Sequence, residues 1–315
     1  MNDSENGRQM DTTERYFVDR AGDWVDDAYN ESNGLVPLGV QRIQVVESIL
    51  RKYGVGAGMS VCDLGCGDGS LCREMSALGM AVTGLDRSDA MVTLARERSA
   101  GDETDYVQSS IEDAVGAVGG RRFDVVTSMG VMYYLPEDGD LLDRIKTLLE
   151  PGGLAVVSCR NRLFNLFSGS RKRPAELDSD DRSQLLEELV SLDTNLGVED
   201  LHEFLRRLHG LTSPEVLAAL PTPDNDKERE LEEVIQTVEG RQHLPSEIRR
   251  SAAASGLAVK AIYGVQPHFL AAGASDERAA QLLRKVSEAL MSLNHLPISL
   301  IWSSHFIVEM THAES

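Results

Sequence analysis

Basic residues are scarce in this chain. Lys and Arg together number 31 against 51 Asp and Glu, a formal net charge of −20 over 315 residues. Nucleic acids are held largely through basic patches, and a charge of this sign repels phosphate backbones and anionic lipid surfaces. No nucleic-acid partner and no membrane insertion are therefore expected. The one basic strip, Arg160-Asn161-Arg162 with Arg171-Lys172-Arg173, reads as a solvated loop. Cysteine is also rare. Cys62, Cys66, Cys72 and Cys159 offer neither a CxxC pair nor a disulfide framework. The first three fall within one short stretch, where they read as small apolar residues, and a reduced, cytoplasmic setting is expected. The opening Met1-Asn2-Asp3-Ser4-Glu5 has no basic or apolar region, so no secretory signal is expected. Ala289 to Val308 contains no Asp, Glu, Lys or Arg, yet carries Ser292, Ser299, Ser303, Ser304, Asn294 and Pro297. That is too polar for hydrocarbon and reads as a helix end, a loop and a buried strand.

What is present is an ordinary core-forming composition, 42% hydrophobic and 26% charged, enough for one large domain or a core with an appendage. Val40, Ile43, Val46, Ile49 and Leu50 recur at helical spacing before Gly54. Short apolar runs follow at Val61–Leu64, Ala81–Leu85, Asp105–Gln108, Phe123–Ser128 and Leu154–Ser158, separated by helix-length segments, with Pro151-Gly152-Gly153 marking the turn into the last. Strands alternating with helices predict a parallel sheet covered on both faces. The rhythm stops after Cys159. Residues 163–240 hold no strand but contain periodic helices at Glu199–Leu208, Ser213–Leu220 and Asp226–Glu239. It resumes with a helix at Pro245–Ser255, strands at Leu257–Tyr263 and His305–Met310, and a helix at Asp276–Leu293 between them.

The most informative stretch is Asp63-Leu64-Gly65-Cys66-Gly67-Asp68-Gly69, directly after a strand and before a helix. Glycines there let backbone pass close to a ligand at a helix N-terminus. The spacing is GxGxG, not the GxGxxG of dinucleotide folds. Asp86 closes the next strand, where a carboxylate can accept from two ribose hydroxyls.

Val61–Gly69, Gly84–Met91, Phe123–Leu135 and Leu149–Val157 resemble the successive motifs of class I, Rossmann-like S-adenosylmethionine-dependent methyltransferases of the small-molecule type. The resemblance covers about 40–160, then 245–265 and 303–311. It implies an α/β fold, a seven-stranded mostly parallel sheet with a reversed final hairpin, helices on both faces, and a helical lid inserted after the fifth strand. The implied divisions are 1–39 as an N-terminal cap, 40–162 as the cofactor core, 163–244 as the lid, and 245–315 completing the sheet with a helical excursion at about 267–302. The implied cofactor is S-adenosylmethionine, leaving as S-adenosylhomocysteine. Gly65, Cys66, Gly67 and Gly69 would approach its amino-acid end, Asp63 would order that end, and Asp86 would hold the ribose. Ser128 or Met129 would offer a carbonyl to its amine. Arg87 and Met91 would flank the nucleoside, and Ser110-Ile111 stand where the adenine contact falls in relatives.

A base is needed only if the nucleophile must lose a proton. All seven histidines lie at or beyond residue 202, so a histidine base must come from the lid or the C-terminal segments. His268, just after a strand, is the first candidate and His243 the second, while His305 reads as structural within its strand. Tyr134 could orient an acceptor hydroxyl. Tyr133, with Tyr16 and Trp24 from the aromatic cluster of the cap, is a candidate for lining the substrate pocket. No metal is expected, because the chain has Arg160-Asn161-Arg162 where magnesium-binding relatives place Asp and Asn. The expected partner is a small-molecule acceptor, the chain being a monomer or homodimer. The favoured reading is an O-methyltransferase of quinone or secondary-metabolite type. N-methylation of an amine or amino sugar, a non-catalytic cofactor-binding scaffold and an NAD-linked dehydrogenase remain the alternatives.

Overall fold

The computed structural model describes residues 38–101, 104–166, 179–193, 195, 197–209, 241–267 and 277–314. The cap with Tyr16 and Trp24, the helices expected at 213–220 and 226–239, Arg171–Arg173 and His268 lie outside the described residues.

Helix α1 (Leu38–Lys52) precedes β1 (Ser60–Leu64), α2 (Ser70–Ala77), β2 (Ala81–Asp86), α3 (Asp89–Arg98), β3 (Asp105–Gln108), α4 (Ala114–Ala117), β4 (Phe123–Ser128), α5 (Asp138–Leu148) and β5 (Leu149–Arg160). Then come α6 (Ser179–Ser191), α7 (Val198–His209), α8 (Pro245–Ala254), β6 (Leu257–Pro267), α9 (Glu277–Met291) and β7 (Ser303–His312). The strands form one sheet in the order β3-β2-β1-β4-β5-β7-β6. β1 to β5 are parallel, and β7 runs antiparallel between β5 and β6, the expected reversed hairpin. Adjacent strand residues face opposite ways. Val126, Val157 and Val308 therefore join the core under α5 and α8, whereas Val125, Val156 and Ile307 join the core under α1, α2 and α3. Each fully buried aliphatic side chain contributes about 1.5–3 kcal/mol.

Local chemistry fixes the ends that matter. Ser88 caps α3, its Oγ accepting from Met91 N at 3.4 Å. Pro245 opens α8, with Glu247 accepting from Leu244 N at 2.7 Å. Glu309 on β7 is fully buried. It accepts from Lys52 Nζ at 3.0 Å, from Tyr263 Oη at 2.7 Å and from Tyr53 Oη, tying α1 to the hairpin.

Three sequence readings are corrected. β5 starts at Leu149, not Leu154, and Pro151-Gly152-Gly153 lies inside it rather than before it. The register jumps there, from Phe123↔Leu149 to Val125↔Leu154, and Gly152 has φ 83°. Proline and glycine are accommodated at such an irregularity because no ladder bond is needed from them. Helix α6 was not expected from the pattern, because its Leu186 and Val190 are exposed while Leu185 is buried. Finally, Arg160–Arg162 is not a solvated loop. Asn161 is buried, its Nδ2 donating to Leu300 O and Ser303 O, both at 2.7 Å, and Leu163 and Phe164 enter the main core directly after it. The segment expected as a lid thus starts from residues buried in the core.

Candidate functional site

The turn between β1 and α2 is built from glycines at positive φ, with Gly65 at 78°, Gly67 at 54° and Gly69 at 75°. A Cβ on Gly65 would run into Val131, and one on Gly69 into the Tyr106 hydroxyl. Nothing lies within 4 Å of where a Cβ on Gly67 would be. Two glycines therefore permit packing, and the middle one leaves an open face of backbone. The turn is held from below. Gly65 N and Cys66 N donate to Leu85 O at 2.7 and 2.9 Å. Asp68, buried, takes Arg98 Nη1 at 2.7 Å, Ser70 Oγ at 2.8 Å and Arg73 Nη2 at 3.4 Å. This anchor was not read from the sequence, where an arginine thirty residues beyond Asp68 carries no visible pairing.

Asp63 and Asp86 take different positions around this turn. Asp63 is buried, accepting from Thr127 Oγ1 at 2.7 Å and Cys72 Sγ at 3.6 Å. Burial pushes its carboxyl up to about 6, against the hydrogen bonds of Thr127 and Cys72, and the nearby Asp86 charge adds to the rise. Asp86 ends β2 half-buried, with Oδ2 accepting from Gly67 N at 3.0 Å and Oδ1 from Ser88 N at 2.9 Å. Burial also raises its carboxyl, opposed by those two N–H groups. Asp86 is therefore the acid that reaches the glycine turn itself. Beside it, Arg87 is exposed and Met91 is fully buried. Ser110 binds Asp113, Oγ to Oδ2 at 3.0 Å, and both Ser110 and Ile111 are half-buried.

The loop after β4 closes the other side. Ser128 is buried, its Oγ donating to Leu64 O at 2.9 Å, while Met129 is half-buried. Gly130 follows at φ 79°, and its N–H donates to Ser158 Oγ at 2.7 Å. A Cβ on Gly130 would lie 3.1 Å from Arg42 Nη1. Since Val131 also fills the space against Gly65, the guanidinium of Arg42, the loop after β4 and the glycine turn are contiguous. Arg42 had no motif to flag it in the sequence.

Beyond this loop, Tyr133 and Tyr134 pack edge to face with centroids 4.8 Å apart. Arg160 at the end of β5 donates to Tyr133 Oη at 2.7 Å. His243 forms a short parallel bridge with Asn161 and is buried. Its Nε2 meets Asp138 Oδ1 at 3.0 Å. Asp138 also takes Arg241 Nη1 at 2.8 Å and Ser251 Oγ at 2.8 Å. Burial opposes its charge, but the hydrogen bonds of His243 and Ser251 and the positive charges around it hold its carboxyl down to about 2. An ionised Asp138 can only accept, so Nε2 carries a proton, and in the neutral imidazole Nδ1 then presents a lone pair. That Nδ1 is buried without a partner among the described residues. Tyr133, Tyr134 and His243 are thus brought to one end of the sheet. His305, expected to be structural, sits half-buried opposite Arg160 across β5 and β7. Among the described residues no group of three His, Cys, Asp or Glu could hold a metal ion, and no helix is long and apolar enough to cross a membrane.

A seven-stranded sheet with a reversed final hairpin, and a glycine turn between its first strand and helix, defines the Rossmann-like methyltransferase fold. Residues 62–157 match the methyltransferase domain family. The chain is 34% identical over 138 residues to the ubiquinone biosynthesis O-methyltransferase of Azotobacter vinelandii, covering 43% of this chain and 57% of that protein. It is also 34% identical over 154 residues to the same-named protein of Xanthomonas axonopodis, covering 48% and 62%. The chain thus spans about three fifths of the length of these relatives. Among solved structures, the magnesium protoporphyrin IX methyltransferase of Synechocystis with bound SAH is similar with a TM-score of 0.52 at 16% identity, over 96% of this chain and 98% of that one. The CcbJ methyltransferase of Streptomyces caelestis gives 0.51 at 16% identity, over 93% and 98%.

Proposed function

We propose that this chain transfers the methyl group of S-adenosylmethionine to a hydroxyl of a small quinone-type phenol. One observation carries the reading. Gly67 offers bare backbone beside the Asp86 carboxylate, in a domain similar to ubiquinone biosynthesis O-methyltransferases. When bound, the cofactor supplies an activated methyl group on a sulfonium.

The chain's own residues would bind, align and exclude water. Backbone of Gly65, Cys66, Gly67 and Gly69 would pass the amino-acid end, with Asp63 holding the turn from below. Asp86 would accept from the ribose hydroxyls. Arg87 and Met91 would flank the nucleoside, and Ser110 and Ile111 would lie toward the base. A carbonyl at Ser128 or Met129 would take the amine, and Arg42 supports a place for the carboxylate. His243, oriented by Asp138, would draw the proton from the acceptor hydroxyl through Nδ1, with Tyr133 and Tyr134 lining the acceptor space. An amine acceptor needs no such base when already neutral, so the His243–Asp138 pair favours a hydroxyl. The helices of the inserted segment would cover the site as a lid.

His243→Gln tests this. General-base loss typically costs 10²–10⁴-fold, so kcat should fall at least about 10²-fold. S-adenosylhomocysteine affinity should stay within about twofold. Unchanged kcat would remove His243 from the chemistry, and no methyl transfer to any phenol would leave a binding scaffold.

A further inference from the structure

In so acidic a chain, arginines should find carboxylates, and six do, whereas Arg96, Arg121 and Arg144 donate to neutral oxygens. Arg73 and Arg98 meet Asp68, Arg162 meets Glu247, Arg206 and Arg207 meet Glu203, and Arg241 meets Asp138. Arg160 differs. Among the described residues its guanidinium meets no acid. Nη1 donates to Tyr133 Oη at 2.7 Å, and the group stacks 4.9 Å from the centroid of the Tyr133 ring. It is half-buried at the carboxyl end of β5. The same strand anchors Gly130 through Ser158, so Arg160 stands two residues beyond the point where β5 holds the loop that borders the proposed methyl-transfer site.

The surroundings sharpen the point. The neighbouring carboxylate, Asp138, is already occupied by Arg241, His243 and Ser251. Opposite Arg160 in the sheet stands His305, its Nδ1 on Ser304 Oγ at 2.9 Å, and not an acid. At the end of the adjoining β6, Gln266 is held at φ 55°, a conformation costly for a non-glycine residue, with its Oε1 taking Ser304 Oγ at 2.6 Å. Strain of this kind gathers where a pocket is being shaped. Keeping a partly desolvated guanidinium without a counter-ion costs free energy that an arriving anion would return. Tyr133 leaves two edges of a planar donor fork that matches an oxyanion in bidentate fashion.

We infer that Arg160, fixed by Tyr133, receives an oxyanion on the methyl acceptor, so that the substrate is an acidic aromatic compound bearing a carboxylate or phosphate. This rests on the methyl-transfer reading above. Arg42, against Gly130, is the separate cation for the cofactor's own carboxylate.

The test is calorimetric titration of the full chain, saturated with S-adenosylhomocysteine, with benzoate, phenyl phosphate and benzamide. At least one anion should bind ten-fold or more tighter than benzamide, and the tighter of the two names the oxyanion. Arg160→Met should erase that preference while S-adenosylhomocysteine affinity changes less than two-fold; Arg160→Lys should retain part of it. Tyr133→Phe, which keeps the ring and removes the hydroxyl, should weaken the anion several-fold and serves if Arg160→Met does not fold. Equal binding of all three probes, or binding of none, overturns the inference. So does an Arg160→Met variant that loses S-adenosylhomocysteine, because Arg160 would then belong to the cofactor. If the unaltered chain fails to take up S-adenosylhomocysteine, the cofactor reading falls instead. The three probes are then titrated into the unliganded chain, where the same anion preference is required.

Discussion

Replacing Asp63 by Asn removes one buried charge while keeping the side chain's shape and an acceptor for Thr127. Asp63 is 2% exposed, and burial raises its carboxyl to about 6. An unfolded aspartate titrates near 3.9, and one pKa unit corresponds to about 1.4 kcal/mol, so the ionised form costs the folded chain about 3 kcal/mol. The folded state binds this proton more tightly than the unfolded state, so its contribution to stability falls as pH rises from about 4 to about 6 and stays low above that. Asn mimics the protonated acid. In the absence of ligand, Asp63→Asn should therefore be the more stable protein at pH 7.5, by up to about 3 kcal/mol, or several degrees in Tm for a chain of this size. At pH 5 linkage leaves about half of that gap. Thermal unfolding followed by circular dichroism at the two pH values is sufficient. A variant less stable than the parent at pH 7.5, or a gap that does not shrink at pH 5, would refute the reasoning. A stabilising Asn would mark Asp63 as a residue kept for the glycine turn at the expense of stability.

Asp86→Ala removes the carboxylate that bonds Gly67 N and would bond two ribose hydroxyls. At about 1.5–3 kcal/mol per charged bond before losses, S-adenosylmethionine and S-adenosylhomocysteine affinities should each fall roughly 10²-fold by calorimetry. Gly67→Val places a β-branched side chain at φ 54° on the open face of the turn. It should abolish cofactor binding while the far-ultraviolet spectrum stays native; normal binding would mean that the turn does not cradle the ligand. Asn161→Leu strands the carbonyls of Leu300 and Ser303 and the N–H of Leu163. Chemical denaturation should register a loss of about 3 kcal/mol or more, and a loss below about 1 kcal/mol would remove Asn161 as the latch between β5 and the hairpin.

The glycine turn and the acid bonded to it were legible because local signals carried them. Strand, glycines, helix and a following acid are fixed by backbone geometry within a short span, so GxGxG and Asp86 could be read directly. Asp63 and Asp86 were read with different roles, and packing adds that Asp63 is buried against Thr127 and Cys72 whereas Asp86 bonds the turn at Gly67 N. The sheet order followed from the alternation of strands and helices. The ends of β5 did not, because Pro151-Gly152-Gly153 has the chemistry of a turn and is tolerated as an irregularity within a strand. The acceptor side was largely hidden. Asp138 and Arg160 come from distant elements, and nothing in their sequence neighbourhoods announces that they meet Tyr133 and His243 at one end of the sheet. Arg160–Arg162 looked like exposed charge, yet Asn161 between the arginines is one of the better satisfied buried amides. His243 was visible as a residue type at a plausible distance from the sheet, whereas its pairing with Asp138 needed the bridge to Asn161.

The most direct measurement is calorimetric titration of the purified full chain with S-adenosylhomocysteine. One site per chain is expected, with no competing heat from NAD or NADH. An absence of S-adenosylhomocysteine binding by the folded chain, or saturable binding of NAD at the same turn, would contradict the assignment of the glycine turn and Asp86 to this cofactor.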